Sequence, residues 1–227
     1  MIKSDILIIG AGPVGLFAVF EAGLLKMKCH LIDILPKPGG QCSEIYPKKP
    51  IYDIPAYPEI LADDLVDKLM EQCSQFQPGF TLGERAMTID KQEDNSFIVT
   101  TDKGTKHASP IVVIAGGLGS FEPRKPLIDN ISKFEGFGVE YFIKEPNLFK
   151  DKKIVIAGGG DSALDWAVVL CEIASEVTLI HRRNEFRGAL DSVDKVQQLK
   201  NLNKIKIITP AEVIGLNGEN NLESITI

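Results

Sequence analysis

The chain has 227 residues, more than one typical domain, and its 44% hydrophobic and 25% charged residues are ordinary globular usage. A net charge of -6 excludes a general nucleic-acid binder, which presents a basic surface. No apolar run approaches the roughly 20 residues of a membrane-spanning helix, and the first apolar run ends in a glycine turn instead of a cleavage site, so a cytoplasmic chain with no membrane association is expected. Cys29, Cys42, Cys73 and Cys171 are scattered without a CxxC, which in a reducing compartment leaves thiols and indicates neither a disulfide framework nor a metal site.

In chain order, residues 4–33 read as strand, helix, strand, with helical apolar spacing over about 14–26. Ile6-Leu7-Ile8-Ile9 runs into Gly10-Ala11-Gly12-Pro13-Val14-Gly15, and Asp33 closes the second strand. Gly39-Gly40-Gln41 then opens a proline-rich loop through Tyr46-Pro47-Lys48-Lys49-Pro50 to Tyr57-Pro58, and loops of that length in compact domains are usually functional. A helix is predicted over about 59–76. Three short strands near 85–91, 96–101 and 105–108, separated by polar turns, predict a small antiparallel meander. Ile111-Val112-Val113-Ile114 is continuously apolar, as in a parallel strand buried on both faces, and ends in Ala115-Gly116-Gly117, where glycine permits close ligand approach. Phe121-Glu122-Pro123-Arg124 looks like the crossing to a second domain, giving domains of 1–117 and 118–227.

The second half repeats the first. Ile154-Val155-Ile156-Ala157 runs into Gly158-Gly159-Gly160-Asp161-Ser162-Ala163, a helix is predicted over about 161–174, and a strand over 177–181 ends in His181-Arg182-Arg183. A helix near 190–200 and strands near 205–208 and 222–227 follow. This sheet is short of strands, so a further C-terminal portion is expected.

A strand, a glycine turn and a helix N-terminus make a pyrophosphate site, because backbone N–H groups and the helix dipole point at the anion. One such motif is a weak signal, but two at equal spacing are much stronger. The residue ending the second strand reads the ribose. Asp33 can hydrogen-bond two ribose hydroxyls and would repel a phosphate, which suits FAD or NAD, whereas Arg182 and Arg183 can grip a 2'-phosphate, which suits NADP. Specificity for the phosphorylated coenzyme is expected to rest on His181, Arg182 and Arg183, with Arg187 a candidate to join them, the alternative being a solvated strand end. The fold class is therefore α/β, with two dinucleotide-binding, Rossmann-like domains and a meander in the first.

With these stretches and Gly39-Gly40-Gln41-Cys42-Ser43-Glu44-Ile45-Tyr46-Pro47, Ile51-Tyr52-Asp53, Gly158-Gly159-Gly160-Asp161-Ser162-Ala163-Leu164-Asp165-Trp166 and Phe186-Arg187, the chain resembles flavoprotein reductases of the thioredoxin reductase fold. Among them it is most similar to the thioredoxin-reductase-type ferredoxin(flavodoxin)-NADP reductases. The resemblance implies FAD in the first domain, with Gly10, Gly12, Pro13 and Gly15 at the pyrophosphate, Asp33 on the ribose, Gly40 and Gln41 near the cofactor, Tyr46 against the flavin ring, and Ala86, Gly116 and Phe121 beside FAD. It implies NADP on Gly158, Gly160, Asp161, Ser162, Ala163 and the 181–187 run, and a homodimer when full length. It implies hydride transfer from NADPH to the flavin and one-electron delivery to ferredoxin or flavodoxin, with no catalytic side chain, the flavin carrying the chemistry.

Several residues keep two readings. Asp53 tunes the flavin ring or is a turn carboxylate before Ile54-Pro55. Asp161 and Ser162 cap the helix or meet the nucleotide. Cys42 is preferred as a small packing residue over a redox partner, and Lys37, Lys48 and Lys49 are solvated or steer an acidic electron carrier. Two alternatives to the reductase remain: a thioredoxin reductase-like disulfide reductase, against which the lack of a CxxC counts, and a truncated, non-catalytic nucleotide-binding fragment, since relatives add a C-terminal return segment to the FAD domain.

Overall fold

The computed structural model describes residues 1–119 and 125–227. Phe121, and with it the crossing segment Phe121-Glu122-Pro123-Arg124, lies outside the described residues. The chain divides into two units, Met1–Glu122 and Pro123–Ile227.

In the first unit the elements run β1 (Ile2–Lys3), β2 (Ile6–Ile9), α1 (Pro13–Leu24), β3 (Cys29–Asp33), α2 (Gln41–Glu44), β4 (Pro50–Ile51), β5 (Ile60–Leu61), α3 (Ala62–Ser74), β6 (Gly79–Leu82), β7 (Ala86–Lys91), β8 (Phe97–Thr101), β9 (Lys106–Ser109) and β10 (Ile111–Ile114). A parallel sheet is ordered β10-β2-β3-β6, with Ile8 opposite Leu31 on one side and Val113 on the other. The strand order reverses at β2, and ligands of such sheets bind at the carboxyl ends beside that reversal. Pro13 stands at the start of α1, where its missing N–H costs nothing. Leu7, Ile8, Leu16 and Leu31 are fully buried. Each such side chain contributes about 1.5–3 kcal/mol by leaving water. Gly23 lets the Phe76 ring lie on α1, since a Cβ there would come within 2.2 Å of it.

The structure corrects four expectations here. The meander is part of a four-stranded sheet, β1-β9-β8-β7, because Ile2 and Lys3 pair in parallel with His107 and Ala108. The loop between β3 and α3 contains α2 and the β4-β5 ribbon, which pairs Pro50 with Leu61 and Ile51 with Ile60, so α3 begins at Ala62 and not near 59. β10 is not buried on both faces: it is the sheet's edge strand in this unit, and Ile111 and Ile114 remain 42% and 73% exposed.

The second unit contains α4 (Ile131–Phe134), a 3-10 turn (Pro146–Phe149), β11 (Lys153–Ala157), α5 (Asp161–Leu170), β12 (Glu176–Ile180), α6 (Leu190–Asn201), β13 (Ile205–Ile208), β14 (Gly215–Asn217) and β15 (Ser224–Thr226). A parallel sheet is ordered β11-β12-β13, and Leu164, Ala167, Leu170, Val177 and Leu179 are buried. Two expectations shift: α5 ends at Leu170, and the last strand, β15, does not join the parallel sheet but pairs antiparallel with β14. No helix among the described residues is long and apolar enough to cross a membrane.

Two buried histidines meet in the first unit. The rings of His30 on β3 and His107 on β9 lie 4.8 Å apart. His30 Nε2 is 2.8 Å from Thr81 Oγ1, while neither ring nitrogen of His107 has a partner among the described residues. Burial, then the charge His107 would carry, pushes the His30 pKa from 6.5 down to about 4. Burial lowers His107 as well, against the opposing pull of Glu84. Unfolded His30 takes up its proton below about pH 6.5 and folded His30 only below about pH 4. Its contribution is therefore complete above pH 6.5 and is lost as the pH falls from 6.5 to 4. We expect the urea-unfolding free energy to fall by roughly 3 kcal/mol over that window. A fall of the same size in a His30→Leu variant would assign it to other groups.

Candidate functional site

The first candidate cradle is built where β2 gives way to α1. Gly10 N–H donates to Ile32 O at 2.8 Å, fixing the turn to the neighbouring strand. Gly10 has φ +109°, and a Cβ there would lie 2.3 Å from Ala115 O. A Cβ on Gly15 would lie 2.0 Å from Gly10 O, so helix backbone rests directly on turn backbone. Gly12 begins α1 with no side-chain cap, and the first-turn N–H groups face the carboxyl end of the sheet, the geometry that favours an anion.

Asp33 is half-buried and holds this turn. Its Oδ2 accepts from Ala11 N–H at 2.6 Å and its Oδ1 from Leu35 N–H at 2.9 Å. A carboxylate accepts at about four lone-pair sites, so capacity for ribose hydroxyls is left. The second wall is the Gly39-Gly40 turn. Gly39 N–H donates to Ala11 O at 2.8 Å, and Gly40, at φ +57°, so closely faces Gly12 that its Cβ would come within 3.1 Å of Gly12 Cα. Gln41 opens α2, and its Nε2 comes within 3.3 Å of the position a Gly117 Cβ would take. Three loops, at 10–13, 39–41 and 115–117, thus converge.

Tyr46 follows α2, half-buried against the main core. Its side chain hydrogen-bonds Cys42, and Lys49 Nζ sits 5.6 Å from the ring centroid. Burial, followed by Cys42 and the charge of exposed Asp53, pushes the Tyr46 phenol up to about 12, so the ring stays neutral. Cys42 is buried and its thiol is pushed up by that burial, which agrees with a packing residue and not with a thiolate. Lys48 forms an exposed ion pair with Asp63 at 2.7 Å. Ala86 packs in a separate small cluster with Leu7, Ile32 and Val99, and no described contact brings it to the glycine turn. Gly116 is exposed and has open space where a Cβ would stand.

The second cradle repeats the first. Gly158 N–H donates to Ile180 O at 2.9 Å, and Leu164 N–H to Gly160 O at 3.2 Å, matching Leu16 and Gly12 at 3.0 Å. At the position matching Gly15 stands Ala163, whose Cβ lies 2.8 Å from where one on Gly158 would be. A Cβ on Gly160 would meet nothing within 4 Å, leaving that face open to a ligand.

The charged end of β12 is arranged differently from expectation. Arg182, Arg183 and Arg187 are exposed, and Arg182 makes only a long, exposed pair with Glu212 at 3.9 Å. His181 does not join them as a cation. It is buried against Gly159, stacks on Phe186 at 5.6 Å, and is held below its ordinary pKa by burial and by the positive charge of Arg187, Arg183 and Arg182. Asp161 and Ser162 do not cap α5, whose capping position is Gly160. Ser162 is exposed, and Asp161 Oδ1 instead accepts from Ala189 N–H at 2.7 Å. A groove of about 590 Å³ lined by Tyr57, Glu59, Asp64, Asp67 and Glu71 contains none of the glycine-turn residues, and its carboxylates would repel a pyrophosphate.

Sequence reasoning missed the Gly39 and Asp33 contacts to Ala11, the Cys42 bond to Tyr46 and the Asp161 bond to Ala189. The glycine doublet signals the first; the others join residues with no shared motif.

Two strand-glycine-helix units of this geometry define a tandem dinucleotide-binding protein of the thioredoxin reductase fold. Over 98% of this chain and 70% of its own, the thioredoxin reductase of Lactococcus lactis superposes with a TM-score of 0.84 at 25% identity. The family described as "Pyridine nucleotide-disulphide oxidoreductase" matches residues 4–227, and the chain belongs to it. The whole chain is 72% identical to a ferredoxin--NADP reductase of Flavobacterium johnsoniae and 71% identical to ferredoxin--NADP reductase 1 of Christiangramia forsetii, spanning 65% and 64% of their lengths.

The two turns set up a contrast in stability. Gly15→Ala should destabilise the chain by about 1–3 kcal/mol through overpacking, whereas Gly160→Ala, at a helix N-cap with open space around it, should cost only about 0.5–1 kcal/mol, the capping preference of glycine over alanine. Thermal denaturation of both variants checks this, and equal losses would contradict the tighter packing of the first turn.

Proposed function

We propose that the chain is the nucleotide-binding part of a flavin-dependent ferredoxin or flavodoxin reductase using NADPH, working in the cytoplasm and homodimeric when full length. The observation carrying this reading is the repeated strand-glycine-helix unit ending in Asp33 in one copy and in exposed Arg182 and Arg183 in the other. The names of these relatives, ferredoxin--NADP reductases, support the electron acceptor and the coenzyme.

On this reading the unit Met1–Glu122 holds FAD. Gly10, Gly12, Pro13 and Gly15 let the pyrophosphate approach the start of α1, Asp33 receives the ribose hydroxyls, Gly40 and Gln41 form the facing wall, and Tyr46 offers a neutral aromatic face to a flat conjugated ring. Such contacts are worth about 0.5–1.5 kcal/mol beyond area burial. Gly116 leaves room for close approach, and Ala86, Phe121 and Asp53 complete the set implied by resemblance. The unit Pro123–Ile227 holds NADP, with Gly158, Gly160, Ser162 and Ala163 at its pyrophosphate and Arg182, Arg183 and Arg187 at its 2'-phosphate. The fit rests on space and charge: the open face at Gly160, the close pairing of Gly12 and Gly40, and the exposed guanidinium groups of Arg182, Arg183 and Arg187. When bound, FAD supplies the conversion of a two-electron hydride donor into one-electron steps. The chain itself binds, orients and excludes water. Cys29, Cys42 and Cys73 are buried and burial pushes all four thiols up, which disfavours them as disulfide-exchanging thiolates.

Arg183→Ala should raise the Michaelis constant for NADPH about 10- to 100-fold, the loss of a hydrogen bond to a charged group, and leave that for NADH nearly unchanged. The measurement is anaerobic bleaching of the FAD-loaded chain by each coenzyme. Equal effects on both would remove the 2'-phosphate assignment, and a chain that takes up no FAD would favour the non-catalytic fragment.

A further inference from the structure

In the second unit, residues 182–189 carry three exposed arginines from the end of β12 to the start of α6. Their backbone is fastened to the glycine turn at several points. Arg187 N–H donates to Gly159 O at 2.7 Å, and Ala189 N–H donates to Asp161 Oδ1 at 2.7 Å. The His181 ring covers Gly159, where a Cβ would come within 2.4 Å of Nδ1, and supports Phe186 on its other side at an interplanar angle of 29°. His181 is itself tied down, its N–H donating to Ile208 O at 3.2 Å and its carbonyl accepting from Ala211 N–H at 2.9 Å. Gly188 passes so near α5 that a Cβ would lie 2.5 Å from Leu164 Cδ1. None of these contacts uses a guanidinium group.

We propose that Asp161 and His181 are positioning residues for coenzyme discrimination: they latch the arginine-bearing loop to the glycine turn, so that the guanidinium groups stand at a fixed distance from the pyrophosphate cradle. The ligand class they serve is an adenosine dinucleotide with a 2'-phosphate, and the inference rests on the reading of this unit as an NADP site. A bidentate arginine binds a phosphate best when its backbone is already placed, since ordering a loop at the moment of binding costs affinity. The 2'-phosphate and the pyrophosphate are joined through one ribose within a limited span, so a loop free to drift would satisfy one at the expense of the other. Asp161 then acts through Ala189, and His181 through its packing on Gly159 and Phe186 together with a hydrogen bond to the Glu185 backbone, its pKa held below the ordinary value by burial and by the neighbouring arginines.

The test is calorimetric titration of the full chain with adenosine 2',5'-bisphosphate and with 5'-AMP, which needs neither flavin nor turnover. Asp161→Ala should weaken the bisphosphate about 5- to 10-fold and leave 5'-AMP unchanged. Asp161→Asn, whose amide oxygen still accepts from Ala189, should behave as the parent. His181→Ala should match Asp161→Ala and decides the matter if Asp161→Ala does not fold. Equal weakening of both ligands by Asp161→Ala, or an Asp161→Asn variant as weak as Asp161→Ala, would overturn the latch. Arg183→Ala separates the two levels: no effect of that variant on the bisphosphate removes the NADP reading itself, whereas an effect of Arg183→Ala with none of Asp161→Ala removes the latch alone.

Discussion

Close packing of the helix start on the glycine turn at the strand-to-helix junction is the constraint on which both units depend. In the first unit the contact between Gly10 and Gly15 leaves no room for a side chain, and it sets α1 against the carboxyl end of β2. Once the helix is there, its unpaired N–H groups and its dipole point into the crevice beside the strand reversal, and the anion site follows from the geometry. The hydrogen bonds Gly10 to Ile32 and Gly158 to Ile180 fix each turn to the neighbouring strand, so the residue ending that strand always arrives beside the cradle.

That neighbouring position is where the two copies diverge. Asp33 holds the first turn, its oxygens accepting from Ala11 and Leu35. In the second unit the turn is held by other groups. The turn-holding contacts fall to Asp161, His181 and the backbone of Arg187, and none of them uses an arginine side chain. A cation cannot accept the N–H groups that a carboxylate accepts. The change of charge at the strand end therefore required a different way of holding the turn.

The aromatic and cysteine content of the first unit obeys the same logic of burial. Cys42 and Tyr46 share a hydrogen bond at the edge of the core, and burial keeps both neutral. His30 and His107 are neutral for the same reason, but without full hydrogen bonding, and they make this unit acid-sensitive.

Hydrophobic periodicity and glycine spacing are local properties, and through them the sequence alone determined the α/β class, the positions of β2, α1, β3, β11, α5 and β12, and the opposed charges at the two strand ends. The repeat was legible because each copy lies within about 30 residues of continuous chain, the span of one βαβ unit. Tertiary structure decided what depends on partners distant in sequence. Ile2–Lys3 joined the meander sheet, and β10 became an edge strand although its composition reads as interior, because the number of neighbours a strand has is not written in the strand. Likewise, a histidine beside two arginines reads as a third cation until Gly159 and Phe186 are seen to enclose it, and an aspartate at a helix start reads as a cap until Ala189 takes its oxygen. Charge and hydrogen-bonding role are set by what surrounds a side chain, and for these residues the surroundings come from segments that only folding brings together.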